Sequence, residues 1–195
     1  MDRCGELLRR QYLSDVRLKP HTYPDHPIGR VQAIYQTSRR GRIDRLQAQE
    51  IWCAVFLPLY LRTVADTLPD SQKAFDRLIL QSALVVASIL KERGGFGVGQ
   101  KMVNLFFKDL WALGLIGPAT EQLLHAPLDR IVLGKIKQPP ATWTAWSRVE
   151  ADSAADQGVK DYLAIQAKLR QYTKKSPVPF GSLIQMEQFI WHRIQ

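Results

Sequence analysis

Apolar residues recur along this chain at three- and four-residue intervals, and no stretch alternates apolar with polar residues at a period of two with β-branched enrichment. That pattern predicts helices throughout. A short amphipathic helix opens in MDRCGELLRRQYL, and residues 20–29 (PHTYPDHPIG), with three prolines and a glycine, predict a loop after it. Between 43 and 60 the apolar positions Ile43, Leu46, Ile51, Cys53, Ala54, Val55 and Leu57 fall at near-helical spacing, and Pro58 should bend or end that helix. Asp70 or Ser71 can cap the next helix, which runs to about Arg93, where Gly94 and Gly95 stop it. A third helix is predicted over 100–114, ended by Gly114 and Gly117. Thr120 can cap a short turn through Leu124, and another helix should begin near Leu128 and end by Pro139 and Pro140. Three more are predicted, from Thr142 to about Val149, from Ser153 to about Tyr172 and from Ser182 to Ile194. The expected fold class is all-α, built from many short helices.

Composition narrows the setting. A chain of 195 residues, 46% hydrophobic and 23% charged, can bury a core, and with no internal repeat or low-complexity tract it is expected to form one compact domain over residues 1–195. The longest apolar-rich run, residues 78–90 (LILQSALVVASIL), is too short to span a bilayer and reads as a buried core helix, so no membrane association is expected. The N-terminal segment is charged and amphipathic and lacks the central apolar run of a signal peptide, so nothing in it points to export, and the scarcity of cysteine fits a reducing cytoplasm. Two cysteines, Cys4 and Cys53, are too few for a disulfide framework or a four-cysteine metal site, and His21, His26, His125 and His192 show no ligand spacing. No metal and no other cofactor is expected. The 27 Lys and Arg against 18 Asp and Glu leave a formal charge of +9, which favours an anionic partner such as nucleic acid. The densest basic patch is Ser38-Arg39-Arg40-Gly41-Arg42 with Arg45 a turn further on. It suits phosphates across a duplex, and it equally suits a solvated turn. Lys174 and Lys175 make a weaker patch.

The chemistry concentrates in FGVGQKMVN, residues 96–104. Three readings compete there. A phosphate-binding Walker A loop would need lysine directly after the last glycine and Ser or Thr after the lysine, whereas Gln100 intervenes and Met102 follows. A plain interhelical turn with a solvated lysine at Lys101 is the second. The third is a hairpin between two helices in which Gly95, Gly97 and Gly99 let the backbone approach a DNA phosphate, free N–H groups of the next helix point at that anion, and Val98 plugs the hairpin into the core.

Downstream, HAPLDRIVL (residues 125–133) sets Asp129 behind an apolar-Pro-apolar approach at a helix start. GVGQKMVN followed by APLD resembles the helix-hairpin-helix superfamily of DNA glycosylases. The likeness is nearest to the lysine-bearing 8-oxoguanine branch, which includes the archaeal AGOG type, and it covers about residues 75–135. It implies a multi-helix fold with the active site between two helical subdomains, a helix-hairpin-helix at about 78–114 and a catalytic-aspartate segment at 125–133. It further implies Lys101 as the catalytic lysine, Asp129 as the catalytic aspartate and double-stranded DNA carrying a modified base as the partner, with the chain acting as a monomer. Two departures stand out: Lys101 and Asp129 are 28 residues apart, more than in the eukaryotic enzymes, and Val103 stands where a small alanine is usual. The cysteines of the iron–sulfur branch are missing, so no cluster is expected. Two substrate classes stay open: 8-oxoguanine, and a hypermodified phage base such as glucosylated hydroxymethylcytosine, the target of compact bacterial defence glycosylases that look similar. The second is slightly preferred, because the likeness to repair enzymes fades outside the central segment.

On that resemblance the residue types fit the reaction. Breaking a base–deoxyribose bond builds oxocarbenium character on the sugar, which a fixed carboxylate at Asp129 would stabilise. A lysine amine can attack C1′ and hold the sugar as a Schiff base, from which elimination nicks the strand, but it must first lose the proton it carries at neutral pH. The target base has to be flipped out of the duplex into a pocket. Candidates for stacking on it are Trp52, Phe106, Phe107, Trp111, Trp143, Trp146 and Trp191, each more readily read as a core residue. Gln100 and Asn104 flank Lys101 and could bond the base or sugar, or simply be exposed. Lys108 lies two turns along the same face as a second cation, and His125 is a candidate to line the pocket. The predicted DNA contacts are therefore Gly95, Gly97, Val98, Gly99, Gln100, Arg39, Arg40 and Arg42, and the predicted base pocket comprises Asn104, Lys108, Trp111 and His125.

Overall fold

A computed structural model of the chain describes residues 3–38, 41–91, 95–135 and 157–192. Among these the regular structure is entirely helical, with no strand. The helix predicted over 142–149 and the residues Arg39, Arg40, Trp143 and Trp146 lie outside the described residues. No helix among the described residues is long and apolar enough to cross a membrane.

The N-terminal half supplies α1 (Arg3–Asp15), α2 (Thr22–Asp25) and α3 (Pro27–Ser38), so the proline-rich loop carries a helical turn of its own. In α4 (Arg45–Ile51) the Asp44 carboxylate caps the first turn by accepting the Gln47 N–H. Pro58 does not stop the chain. A π-helical turn, Trp52–Phe56, leads into α5 (Leu57–Val64), and Leu57 N–H donates to Trp52 C=O. The widened turn leaves room at the point where the proline ring would otherwise strike the preceding carbonyl, so the helix continues. Ile43, Ala48, Ile51, Val55, Phe56 and Leu59 face the core, while Leu46 and Cys53 point to solvent despite their apolar character.

Next come α6 (Gln72–Leu90) and α7 (Phe96–Ala112), the most extensive helix pair in the fold. Ser71 takes the cap position of α6 without a side-chain cap bond, and the helix closes at Leu90, earlier than the glycines suggest. Lys91 follows with φ of 52°, a left-handed conformation that disfavours side chains. The helix predicted from residue 100 begins at Phe96, with Val98 and Gly99 N–H both donating to Gly95 C=O. Gly97, Val98, Gly99 and Gln100 therefore belong to its opening turns. The C-terminal end of α7 agrees with the pattern: Gly114, at φ of 75°, lets Leu115 N–H reach Leu110 C=O and Gly114 N–H reach Trp111 C=O.

Beyond it, α8 (Pro118–Glu121) is capped by Gly117 rather than Thr120. Residues 124–128 have no regular structure and are buried, and Asp129 starts α9 (Arg130–Lys135) by accepting the Val132 N–H at 3.0 Å. The fold closes with α10 (Gln157–Lys175) and α11 (Leu183–His192). Helix α7 runs through the middle of the core, buried from Met102 to Ala112 and packed by α1, α3 and α6. An apolar helix buried on all sides is expected. Less expected is that Gln100, Asn104, Lys108 and Asp109 are buried with it.

Candidate active site

Each polar residue of α7 has found a partner from another element, as burial without water requires. Asp109 is the most heavily satisfied. Its carboxylate accepts from Tyr12 Oη at 2.7 Å, from Tyr23 Oη, and from Arg30 Nε and Nη2 at 2.7 Å each, tying α1, α2 and α3 to the central helix. Burial and the neighbouring carboxylate hold both phenols well above their ordinary range, so Tyr12 and Tyr23 act as donors. Two turns from Lys101 along α7, Lys108 is ion-paired at 2.5 Å with Glu187 of α11, and its ammonium lies 4.8 Å from the Tyr12 ring centroid and 5.5 Å from that of Trp191. Burial raises the Glu187 carboxyl above its usual range, and the Lys108 charge opposes the rise.

Lys101 projects from the second turn of α7. Its Nζ donates to Asp129 Oδ2 at 3.2 Å and to Thr37 C=O at 2.9 Å. Thr37 is in the last turn of α3, where carbonyls lack intrahelical partners and a cation is welcome. The two side chains are only 13% and 15% exposed, so the pair is sheltered yet open on one side. That side is a cavity of about 410 Å³, lined by Lys101 and Asp129, by the more deeply buried Lys108 and Glu187, and by Pro127 and Trp191 among others. The volume falls within the roughly 300–1,000 Å³ of pockets that enclose small molecules.

Of the predicted base-pocket residues, only Lys108 lines this cavity. Trp111 is fully buried in the core with the Arg9 guanidinium 5.2 Å from its ring centroid. His125 is buried between Tyr162 Oη (2.6 Å from Nδ1) and Asp76 Oδ1 (2.7 Å from Nε2). Asn104 Nδ2 bonds Tyr162 Oη at 2.9 Å and Gln100 Oε1 at 3.1 Å. Gln100 itself is 0% exposed, turned inward rather than toward a ligand. Gln100, Asn104, Tyr162 and His125 build a hydrogen-bonded spine that ends on Asp76, whose carboxyl, despite partial burial, is held below its usual range by bonds from His125 and Gln72. With Asp76 ionised, His125 donates from Nε2, and Nδ1 is left to accept from Tyr162.

Trp52, Phe106 and Phe107 are core residues, Phe106 stacking on Phe56 at 4.5 Å. Among the described candidates for stacking on a base, Trp191 alone lines the cavity. Arg42 is exposed in the turn that follows α3, the helix that contributes Thr37 to the cavity. Sequence reasoning missed Glu187, Tyr12, Arg30 and Thr37. Glu187 did leave a sign, as the one carboxylate in the otherwise uncharged run LIQMEQFIW. Among the described residues, no cluster of His, Cys, Asp or Glu could hold a metal ion. Comparison of the chain with family models, curated proteins and solved structures finds no match.

Proposed function

We propose that the chain is a helix-hairpin-helix DNA N-glycosylase that flips a modified base out of duplex DNA and excises it, with Lys101 and Asp129 at the reacting sugar. One observation carries this reading: Lys101 and Asp129 meet at 3.2 Å on the wall of a cavity large enough for an extruded base. An aromatic side chain, Trp191, is available there for stacking, and the Lys108–Glu187 pair offers both a donor and an acceptor to a base edge.

Asp129 stabilises positive charge developing at C1′ as the bond to the base breaks. Its Oδ1 is occupied by the Val132 N–H of α9, which fixes the carboxylate and leaves Oδ2 toward Lys101. Lys101, once a proton acceptor has taken its proton, attacks C1′; the Nζ–C1′ bond forms as the C1′–N bond to the nucleobase breaks, the nucleobase leaves with a proton, and cleavage of C1′–O4′ turns the adduct into an imine. The Schiff base that follows opens the route to strand nicking. The substrate is a hypermodified cytosine, such as the glucosylated hydroxymethyl form, or an oxidised purine such as 8-oxoguanine.

A non-catalytic DNA-binding module is the rival, and one observation favours it: both residues already have structural partners, Thr37 C=O for Lys101 and the α9 cap for Asp129. Incubating the protein with genomic DNAs of differing base modification, with mass spectrometry of released bases, separates the two. Asp129→Asn should abolish release while DNA binding persists, and a borohydride-trapped adduct should vanish in Lys101→Ala. Release undiminished in Asp129→Asn would contradict the assignment.

A further inference from the structure

The segment that delivers Asp129 has no regular structure, yet residues 124–128 are all buried. Its backbone groups cannot reach water, so something must replace a neighbouring strand. Side-chain amides do. Gln166 of α10 accepts from Ala126 N–H at 3.0 Å and donates to Ala126 C=O at 2.8 Å. Two residues on, Gln100 of α7 repeats the pattern, donating from Nε2 to Leu128 C=O at 3.0 Å and accepting Leu128 N–H at 3.4 Å on Oε1. Ala126 and Leu128 each exchange both backbone groups with one glutamine amide, as residues facing a neighbouring strand exchange theirs with it.

Gln100 directly precedes Lys101, and Leu128 directly precedes Asp129. The remaining capacity of the amide is also used: Nε2 donates to Gly97 C=O at 2.9 Å, and Oε1 accepts from Asn104 Nδ2 at 3.1 Å. With two donors and two acceptors all engaged, the amide has one orientation, and it fixes the two backbones that carry the pair.

We infer that Gln100 is a positioning residue, setting the separation of Lys101 and Asp129 by clasping the backbone of Leu128. This rests on the glycosylase reading for its consequence in rate, though not for its consequence in geometry. The Gln100 side chain is fully buried and does not line the cavity, so its loss reaches the reaction through the positions of the pair.

Gln100→Leu keeps the volume and removes both bonds to Leu128. A displacement near 1 Å at a reacting centre lowers rates on the order of 100-fold. The experiment measures single-turnover base release from a duplex carrying 8-oxoguanine and from DNA carrying glucosylated hydroxymethylcytosine, alongside DNA affinity and the crystal structure of the variant. The expected result is a loss of rate of that order at unchanged affinity, with the Lys101–Asp129 contact opened beyond hydrogen-bonding distance. Should Gln100→Leu not fold, Gln100→Glu is measured in its place, since it keeps the acceptor for Leu128 N–H and loses only the donors. A folded variant with the wild-type rate, or with the pair still in contact, overturns the inference. If the wild-type protein releases no base, the glycosylase reading falls, and the role of Gln100 is decided by the Lys101–Asp129 separation in the variant.

Discussion

Gly99→Ala separates two explanations of the glycine run. If Gly99 exists so that backbone can approach a phosphate, an alanine there should leave the folded protein intact and weaken DNA binding. The packing of α6 against α7 predicts otherwise. A Cβ on Gly99 would stand 2.2 Å from the Ala83 carbonyl oxygen and 3.0 Å from its carbon. Ordinary carbon–oxygen approach is about 3.3 Å, so the contact is short by about 1 Å. The obstacle is helix backbone rather than a mobile side-chain end, and α6 cannot retreat without disturbing Phe75, Ile79 and Val86, all fully buried. Overpacking of this kind costs about 1–3 kcal/mol, while replacing a helical glycine by alanine returns at most about 1 kcal/mol. A backbone clash this close belongs at the upper end of that cost, so the net expectation is a loss of about 2 kcal/mol, or a fall of roughly 4–8 °C in Tm for a chain of this size. Gly29, in the first turn of α3 with nothing within 4 Å of its would-be Cβ, is the control. Gly29→Ala should stabilise by up to about 1 kcal/mol. Thermal and urea unfolding followed by circular dichroism measures both. If Gly99→Ala proves as stable as the parent, helix contact is not the reason for the glycine.

Three further outcomes follow from buried polar groups. Burial holds His125 below its ordinary value near about 6.5, so below that pH the unfolded chain takes up a proton that the folded chain refuses. The stability His125 confers is complete above that pH and is lost as pH falls toward the folded value. The urea midpoint should drop between pH 7.5 and 5.5, less steeply in His125→Asn, and an identical slope in the two would exclude His125 as the cause. Asp109→Ala strands Arg30 and two tyrosines, and unfolding experiments should register a loss of about 3–5 kcal/mol. Lys108→Met leaves the Glu187 carboxylate buried without its cation, at a similar cost, whereas Lys108→Met with Glu187→Gln should recover a substantial part of it. Additive losses in that double-mutant cycle would show the pair to be uncoupled.

The meeting of Lys101 with Asp129, 28 residues apart, is implied by a resemblance and not by any local pattern, whereas the helices and the Gly114 cap could be read from the sequence because each depends on local rules. The start of α7 could not. Glycines at 97 and 99 looked like a turn, because propensity counts only what a residue does to its own backbone. The contact with Ala83 that makes Gly99 useful inside a helix belongs to another element. Gln100, Asn104 and Lys108 failed for a related reason. At a spacing of four they form one polar stripe, which on periodicity alone should face solvent. Burial became affordable only because Leu128, Tyr162 and Glu187 meet them from 28, 58 and 79 positions away. Each of these partners is unremarkable in its own stretch of sequence. A polar stripe on an otherwise apolar central helix is thus a question posed to the rest of the chain. Here the answers serve two ends, since the interior bonds of Gln100 and Asn104 hold the strap behind Asp129, and those of Lys108 shape the cavity beside it.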